Sequence, residues 1–259
     1  MLCTEQHRTQ HRTAPNGTGQ APKEASVTSR PATEGLQAVL FDMDGLLVST
    51  EETWFAVETQ LMDELGSTWG PEHQAALVGG PLAHSAQYML DLSGRSDIDR
   101  AWVENALLDG MVTRLHEGPV RWMPGARELL AEVTDAGVPA ALVSSSYRTV
   151  VDAVLDAVGR DWFSATVSAD DVARTKPYAD PYLAAAAALG LDPTRCAALE
   201  DSITGAAAAR AAGCVTVAVP SVVPVDPATV DAVVASLADI DLSWLRALVE
   251  RVLSQAATR

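Results

Sequence analysis

Asp42 and Asp44 stand two residues apart at the end of a mostly apolar run, Leu36-Gln37-Ala38-Val39-Leu40-Phe41-Asp42-Met43-Asp44-Gly45. Burying two like charges beside an apolar strand is costly unless something positive neutralises them. A divalent cation does so, and oxygen-rich sites prefer Mg²⁺. Alternate residues of a strand face opposite ways, so both carboxylates cannot point one way while both remain in it. The chain is therefore expected to leave the strand near Asp44, where Gly45 permits a turn. One carboxylate is then free to act as a nucleophile and the other as a proton shuttle.

Three further polar stations follow apolar runs in the same way. Ser144-Ser145-Ser146 closes Pro139-Ala140-Ala141-Leu142-Val143 and precedes a helix near Arg148. Hydroxyls and free backbone N–H groups at a helix start can cradle a phosphate, or simply cap the helix. Lys176 is one of two lysines in the chain; the other is Lys23, and the rest of the 18 basic residues are arginines. A compact ammonium can sit between a carboxylate and a phosphoryl oxygen where a planar guanidinium does not fit. Glu200-Asp201 ends Cys196-Ala197-Ala198-Leu199 and, with Asp42, makes a candidate Mg²⁺ site. Helix capping is the alternative role for Asp201.

Such stations work together only if a scaffold gathers strand ends along one edge. Candidate strands are Ala38–Met43, Pro139–Ser144, Ala165–Ser168, Ala197–Glu200 and Val215–Val219, and helical patterns lie between several of them. Pro124 and Gly137 bracket one helix, and Asp180-Pro181 opens another that closes at Gly190. This alternation predicts an α/β fold, a Rossmann-like doubly wound parallel sheet with helices on both faces. Ligands of such sheets bind beyond the carboxyl ends of the strands.

From Thr53 to Glu117 the alternation stops and only helical patterns appear. Trp54, Val57, Leu61, Met62 and Leu65 share one helical face, as do Leu107, Leu108, Met111 and Leu115. The block reads as a lid over the acidic turn, or as an appendage with no gating role. The expected organisation is a disordered tail at 1–34, an α/β core at 35–52 and 120–259, and an inserted helical cap at 53–119. The tail is polar and aperiodic; its His7 and His11, at helical spacing, have no further ligand nearby.

A 259-residue chain with 48% apolar residues can bury a sizeable core, and a net charge of −16 disfavours a broad nucleic-acid footprint. Cys3, Cys196 and Cys214 lack metal or CxxC spacing, which suits a reducing compartment. There is no run of 18 apolar residues and no signal-peptide pattern, so a soluble cytoplasmic protein with no membrane partner is expected. The pattern says nothing of oligomeric state.

Taken together, the stations resemble the four motifs of the haloacid dehalogenase superfamily, in its phosphatase and β-phosphoglucomutase-like subgroup with a small helical cap. The resemblance runs from about Leu36 to about Leu245. Phe41-Asp42-Met43-Asp44-Gly45-Leu46-Leu47-Val48 is similar to the first motif and Val143-Ser144-Ser145-Ser146 to the second. Lys176-Pro177 resembles the third, and Leu199-Glu200-Asp201-Ser202 with Gly205 the fourth. Two positions depart from the usual pattern: Ser49 replaces an aspartate before Thr50, and Ala179 replaces a common proline.

The resemblance implies a two-step phosphoryl transfer through an aspartyl-phosphate. Asp42 is the implied nucleophile and Asp44 the acid and base, with Lys176 and Mg²⁺ offsetting oxyanion charge. Ser144, with Ser145 beside it, is the implied phosphate contact. The implied metal ligands are Asp42, the Asp44 carbonyl, Asp201, and Glu200 directly or through water. The expected activity is hydrolysis of a small phosphorylated metabolite such as a sugar phosphate. A β-phosphoglucomutase-like mutase is the alternative, although that subgroup has a histidine where Trp54 stands and an arginine near Leu82. A phosphonate-cleaving relative would need a cap lysine, and a carbon-attacking dehalogenase lacks the residue matching Asp44. A signalling receiver domain has no large insert. A non-catalytic phosphometabolite-binding module is the reading from another class. Specificity is expected in the cap and in Arg121-Trp122-Met123; Trp54, Trp69, His84 and Trp122 are candidates for the pocket wall or for core and hinge.

Overall fold

The structure is a computed structural model and describes residues 35–77, 80–221 and 223–258. The tail at 1–34, with His7, His11 and Lys23, lies outside the described residues.

The elements run in the order β1 (Ala38–Phe41), β2 (Val48–Ser49), α1 (Glu51–Glu64), α2 (Pro71–Leu77), α3 (Leu82–Ser93), α4 (Arg100–Glu117) and β3 (Arg121–Trp122). There follow α5 (Ala126–Asp135), β4 (Ala140–Val143), α6 (Arg148–Val158), β5 (Ala165–Val167), α7 (Asp180–Leu189) and β6 (Cys196–Glu200). The chain ends with α8 (Ile203–Ala211), β7 (Val215–Ala218), β8 (Ala232–Val233) and α9 (Leu242–Ala257). Six strands form one parallel sheet in the order β5-β4-β1-β6-β7-β8. The fold is the expected α/β class, and every residue of β1, β4, β6 and β7 is buried, as a sheet covered on both faces requires.

Where strands begin and end differs from the sequence pattern. The first strand stops at Phe41 rather than Met43, so the chain leaves it before Asp42 and not near Asp44. Asp42 still donates its N–H to the Leu199 carbonyl (3.0 Å), and Gly45 makes the turn at φ +82°. The pairs β2–β3 and β7–β8 have no counterpart in the sequence reading, since two-residue strands show no period. Antiparallel pairing of Val48 with Trp122 and Ser49 with Arg121 ties together the entry and exit of the helical block.

That block is helical between β2 and β3, as its periodicity predicts. Val57, Leu61, Met62 and Leu65 are buried, as are Leu107, Met111 and Leu115 on α4. Helix α1 begins at Glu51, so the expected boundary at 52/53 falls inside its first turn. Both α1 and α3 pack on α4.

Candidate active site

Register assembles the site. Phe41 pairs with Leu142 of β4 on one side and Leu199 of β6 on the other, so Asp42 emerges beside Val143 and Glu200. Lys176 enters from the loop before α7 and lays its ammonium in that gap. The Nζ donates to Asp42 Oδ1 and to the Val143 carbonyl (3.0 Å), and it pairs with Glu200 Oε1 at 2.5 Å. Tyr182, on the first turn of α7, donates its hydroxyl to the same Glu200 oxygen at 2.5 Å. Burial alone would lower the Lys176 pKa, but the Asp42 and Glu200 carboxylates outweigh it and raise it above the ordinary lysine value.

Asp44 is held by hydroxyls. Thr50 Oγ1 donates to its Oδ1 (2.6 Å), while Ser144 Oγ (3.2 Å) and Ser146 Oγ (2.9 Å) donate to Oδ2. The serines therefore do more than cap a helix: the residue at the start of α6 is Tyr147, with no side-chain capping bond. Ser144 is buried, and Ser145 is exposed toward the cavity above. The capping alternative for Asp201 fails too, since Ser202 caps α8 by accepting from the Gly205 N–H (3.1 Å). The departure at Ser49 leaves the Thr50–Asp44 bond in place, because Ser49 lies in β2 opposite Arg121. Ala179 precedes α7, and Asp180 takes the Arg174 guanidinium.

Asp42, Glu200 and Asp201 bring oxygens within 4.8 Å of one another. Burial pushes the Asp42 pKa well above the carboxylate range; Lys176 opposes this, and Glu200, Asp201 and Asp44 add to it. Burial likewise lifts Asp201 to about 7, against the hydrogen bond from Ser221 Oγ (2.6 Å). Three carboxylates facing one ammonium leave negative charge uncompensated, and their hard oxygens suit a hard divalent cation. The backbone is shaped around them. A Cβ on Gly45 would lie 2.3 Å from Asp201 Oδ2, and one on Gly205 would lie 1.9 Å from Glu200 Oε2. The donor set fits Mg²⁺.

A cavity of about 180 Å³ opens above these groups, walled below by Asp42, Asp44, Ser145, Lys176 and Asp201. Its upper wall comes from the helical block, including Trp54, Glu58, Gln74, Leu82 and Leu108. Of the aromatic candidates, Trp54 lines it, and Trp69 is buried beside it with Nε1 on Glu58 Oε2 (3.0 Å). His84 and Arg121-Trp122-Met123 do not belong to this lining; Arg121 instead pairs with Glu52, and Trp122 is fixed opposite Val48. Thr50, Tyr182 and Glu58 escaped the sequence reading, and so did the bond from Ser146 to Asp44. The one available signal was Glu58, an acid placed between apolar Val57 and Leu61.

Residues 36–213 match the haloacid dehalogenase-like hydrolase family. The chain is 35% identical over 195 residues to the protein CbbY of Rhodobacter capsulatus, covering 72% of this chain and 86% of that one. It is 32% identical to hexitol phosphatase B of Escherichia coli strain K12, covering 71% and 83%. The structure of a mutant CbbY from Rhodobacter sphaeroides, in complex with xylulose-(1,5)bisphosphate, superposes with a TM-score of 0.72 at 27% identity. That superposition covers 81% of this chain and 99% of the other. With the fold, the strand-end carboxylates and the lysine between them, the chain belongs to the haloacid dehalogenase-like hydrolases, in their phosphatase and phosphoglucomutase-like subgroup.

Proposed function

We propose that this enzyme is a Mg²⁺-dependent phosphatase that hydrolyses a small phosphorylated metabolite, a sugar phosphate, through an aspartyl-phosphate on Asp42. The observation that carries the reading is the gathering of Asp42, Asp44 and Lys176 at one end of the sheet, under a cavity roofed by helices. The name of the relative hexitol phosphatase B supports the substrate class.

In this reading an Asp42 carboxylate oxygen attacks phosphorus and the ester oxygen leaves with a proton from Asp44. Asp44 then takes a proton from water, whose oxygen attacks phosphorus, and phosphate departs as Asp42 is regenerated. Thr50 and Ser146 hold the Asp44 carboxylate in place for both transfers. Lys176 offsets charge on the phosphoryl oxygens, and Ser144 and Ser145 offer hydroxyls to them. Mg²⁺, when bound by Asp42, Glu200, Asp201 and the Asp44 carbonyl, supplies further charge stabilisation. We assign 35–52 and 120–259 to the core domain, and 53–119 to a cap that shields the site from water.

A mutase reading is disfavoured by the wall of the cavity. A mutase must hold a second phosphoryl group, and the positions named for it are taken by Trp54 and Leu82, both in the lining. The test is release of inorganic phosphate from sugar phosphates, nucleotides and phosphorylated acids, with Mg²⁺ and with chelator. Metal-dependent release is expected. Absence of release from every compound by the folded protein would sink the proposal.

A further inference from the structure

The upper wall of the cavity holds a carboxylate that the hydrolytic chemistry does not use. Glu58 lies one turn after Trp54 on α1, and both side chains line the cavity. Only 7% of Glu58 is exposed, and it is firmly oriented. Its Oε2 accepts from the Trp69 indole, and that ring is wedged against His73 (5.2 Å between centroids) and Tyr88 (6.0 Å). His73 Nδ1 and the Tyr88 hydroxyl close the cluster at 2.8 Å. Among the described residues, no donor reaches Glu58 Oε1. Among the described residues of the lining, the sole cation is Lys176, which is already engaged by Asp42 and Glu200.

We propose that Glu58 selects the leaving group, its free oxygen hydrogen-bonding a hydroxyl of an uncharged polyhydroxyl moiety while it turns away leaving groups that carry a second phosphate or a carboxylate. The proposal rests on the phosphatase reading and narrows it to monophosphates. The rest of the wall agrees: Trp54, Leu82 and Leu108 offer apolar surface to C–H faces, and Gln74 and Ser85 offer neutral polar groups. Burial pushes the Glu58 carboxyl up to about 7. Near neutral pH it both donates and accepts, and a hydroxyl matches either state. An anionic group matches only the protonated one, and it would enter a wall with no free cation among the described residues.

The experiment compares kcat/KM for a hexitol monophosphate with kcat/KM for a sugar bisphosphate and a phosphorylated carboxylic acid, in the parent protein and in Glu58→Gln. Glutamine keeps an oxygen for Trp69 and removes the charge. The parent is expected to prefer the monophosphate at least tenfold, and the preference is expected to shrink at least tenfold in the variant. As a ratio, this readout is insensitive to a general loss of activity. An active parent whose ratio is unchanged by Glu58→Gln overturns the proposal and leaves the phosphatase reading standing. A parent inactive on every compound overturns both. If circular dichroism shows Glu58→Gln to be misfolded, Glu58→Asp carries the test, since it retains the charge and withdraws it by one methylene. A rise in KM for the monophosphate of tenfold or more is then expected, and an unchanged KM overturns the proposal.

Discussion

Tyr182 and Glu200 meet hydroxyl to carboxylate at 2.5 Å in an interior where both side chains are fully buried. The oxygen that Tyr182 engages is the one that pairs with Lys176, so the phenol helps to fix the lysine facing Asp42. Tyr182 thus acts on the site through Glu200. Its own ionisation is pushed far up by burial and by the neighbouring Glu200 and Asp42 carboxylates, which keeps it a donor.

Tyr182→Phe is expected to cost about 1–3 kcal/mol of stability, because a buried carboxylate loses a donor that water cannot replace. The expected kinetic effect is a several-fold fall in kcat with a smaller change in KM, since substrate binding does not need the phenol. Chemical denaturation and steady-state kinetics on the same preparation check both. A variant with parental stability and kcat would show that Lys176 and Ser202 hold Glu200 without the phenol.

Gly205 lies in α8, where alanine normally stabilises a helix by about 0.8–1 kcal/mol. Here the added methyl would meet the Glu200 carboxylate at 1.9 Å, so the usual gain is expected to reverse. Gly205→Ala should lower the melting temperature and raise the Mg²⁺ concentration needed for half-maximal activity. A stabilised, fully active variant would mean that Glu200 can move aside freely.

Much of this site was legible because strands end abruptly in charge. Asp42, Glu200 and Asp201 each follow an apolar run, and one lysine in an arginine-rich body drew notice to Lys176. The serines were harder, because a hydroxyl before a helix reads equally as a cap; only the fold, placing β4 beside β1, brings Ser144 and Ser146 to Asp44. Tyr182 looked like core filling in the alanine-rich α7, and its polar end matters only once β6 is paired with β1. Glu58 and Trp69 are eleven residues apart, the first on α1 and the second in the connection to α2, and no local period links them. The segment Arg121-Trp122-Met123 lies outside the cavity lining for a related reason. Pairing with β2 fixes Arg121 and Trp122 where the helical block begins and ends.

Asp42→Asn is expected to abolish turnover, by at least about 10⁴-fold in kcat, as removal of a nucleophile does in comparable enzymes. The fold should survive, because burial already opposes charge on Asp42 and Lys176 keeps Glu200 as a partner. A melting temperature within about 5 °C of the parent, roughly 1–2 kcal/mol, is the accompanying expectation. Residual phosphate release near the parental rate would remove Asp42 from its assigned role.

Mg²⁺ should also register without turnover. The carboxylates of Asp42, Glu200 and Asp201 crowd within 4.8 Å in the folded chain and are scattered in the unfolded one. A cation at 100 times its dissociation constant would then stabilise the fold by about 2.7 kcal/mol. Thermal melts with Mg²⁺ and with chelator are expected to differ by about 5–10 °C on that account. Asp201→Asn should lose most of the difference. Identical melts of the parent under both conditions would count against a metal held by these residues.

Glu58 gives the fold itself a pH dependence of known sign. Burial, opposed in part by the Trp69 hydrogen bond, raises its native pKa from 4.5 to about 7. Between those values the native state holds a proton that the unfolded chain has lost, so stability falls as pH rises through the window. The contribution is fully present below about 4.5 and gone above about 7, and one pKa unit is worth about 1.4 kcal/mol. Glu51 on the same helix, also raised mainly by burial, shifts in the same direction and is common to parent and variant. Glu58→Gln removes the Glu58 part and keeps the Trp69 bond. Relative to the parent, the variant should therefore gain roughly 1–3 kcal/mol between pH 5 and pH 8. Urea denaturation of both proteins at the two pH values measures the difference directly. A constant difference across the range would mean that Glu58 is as free to ionise in the fold as in the unfolded chain.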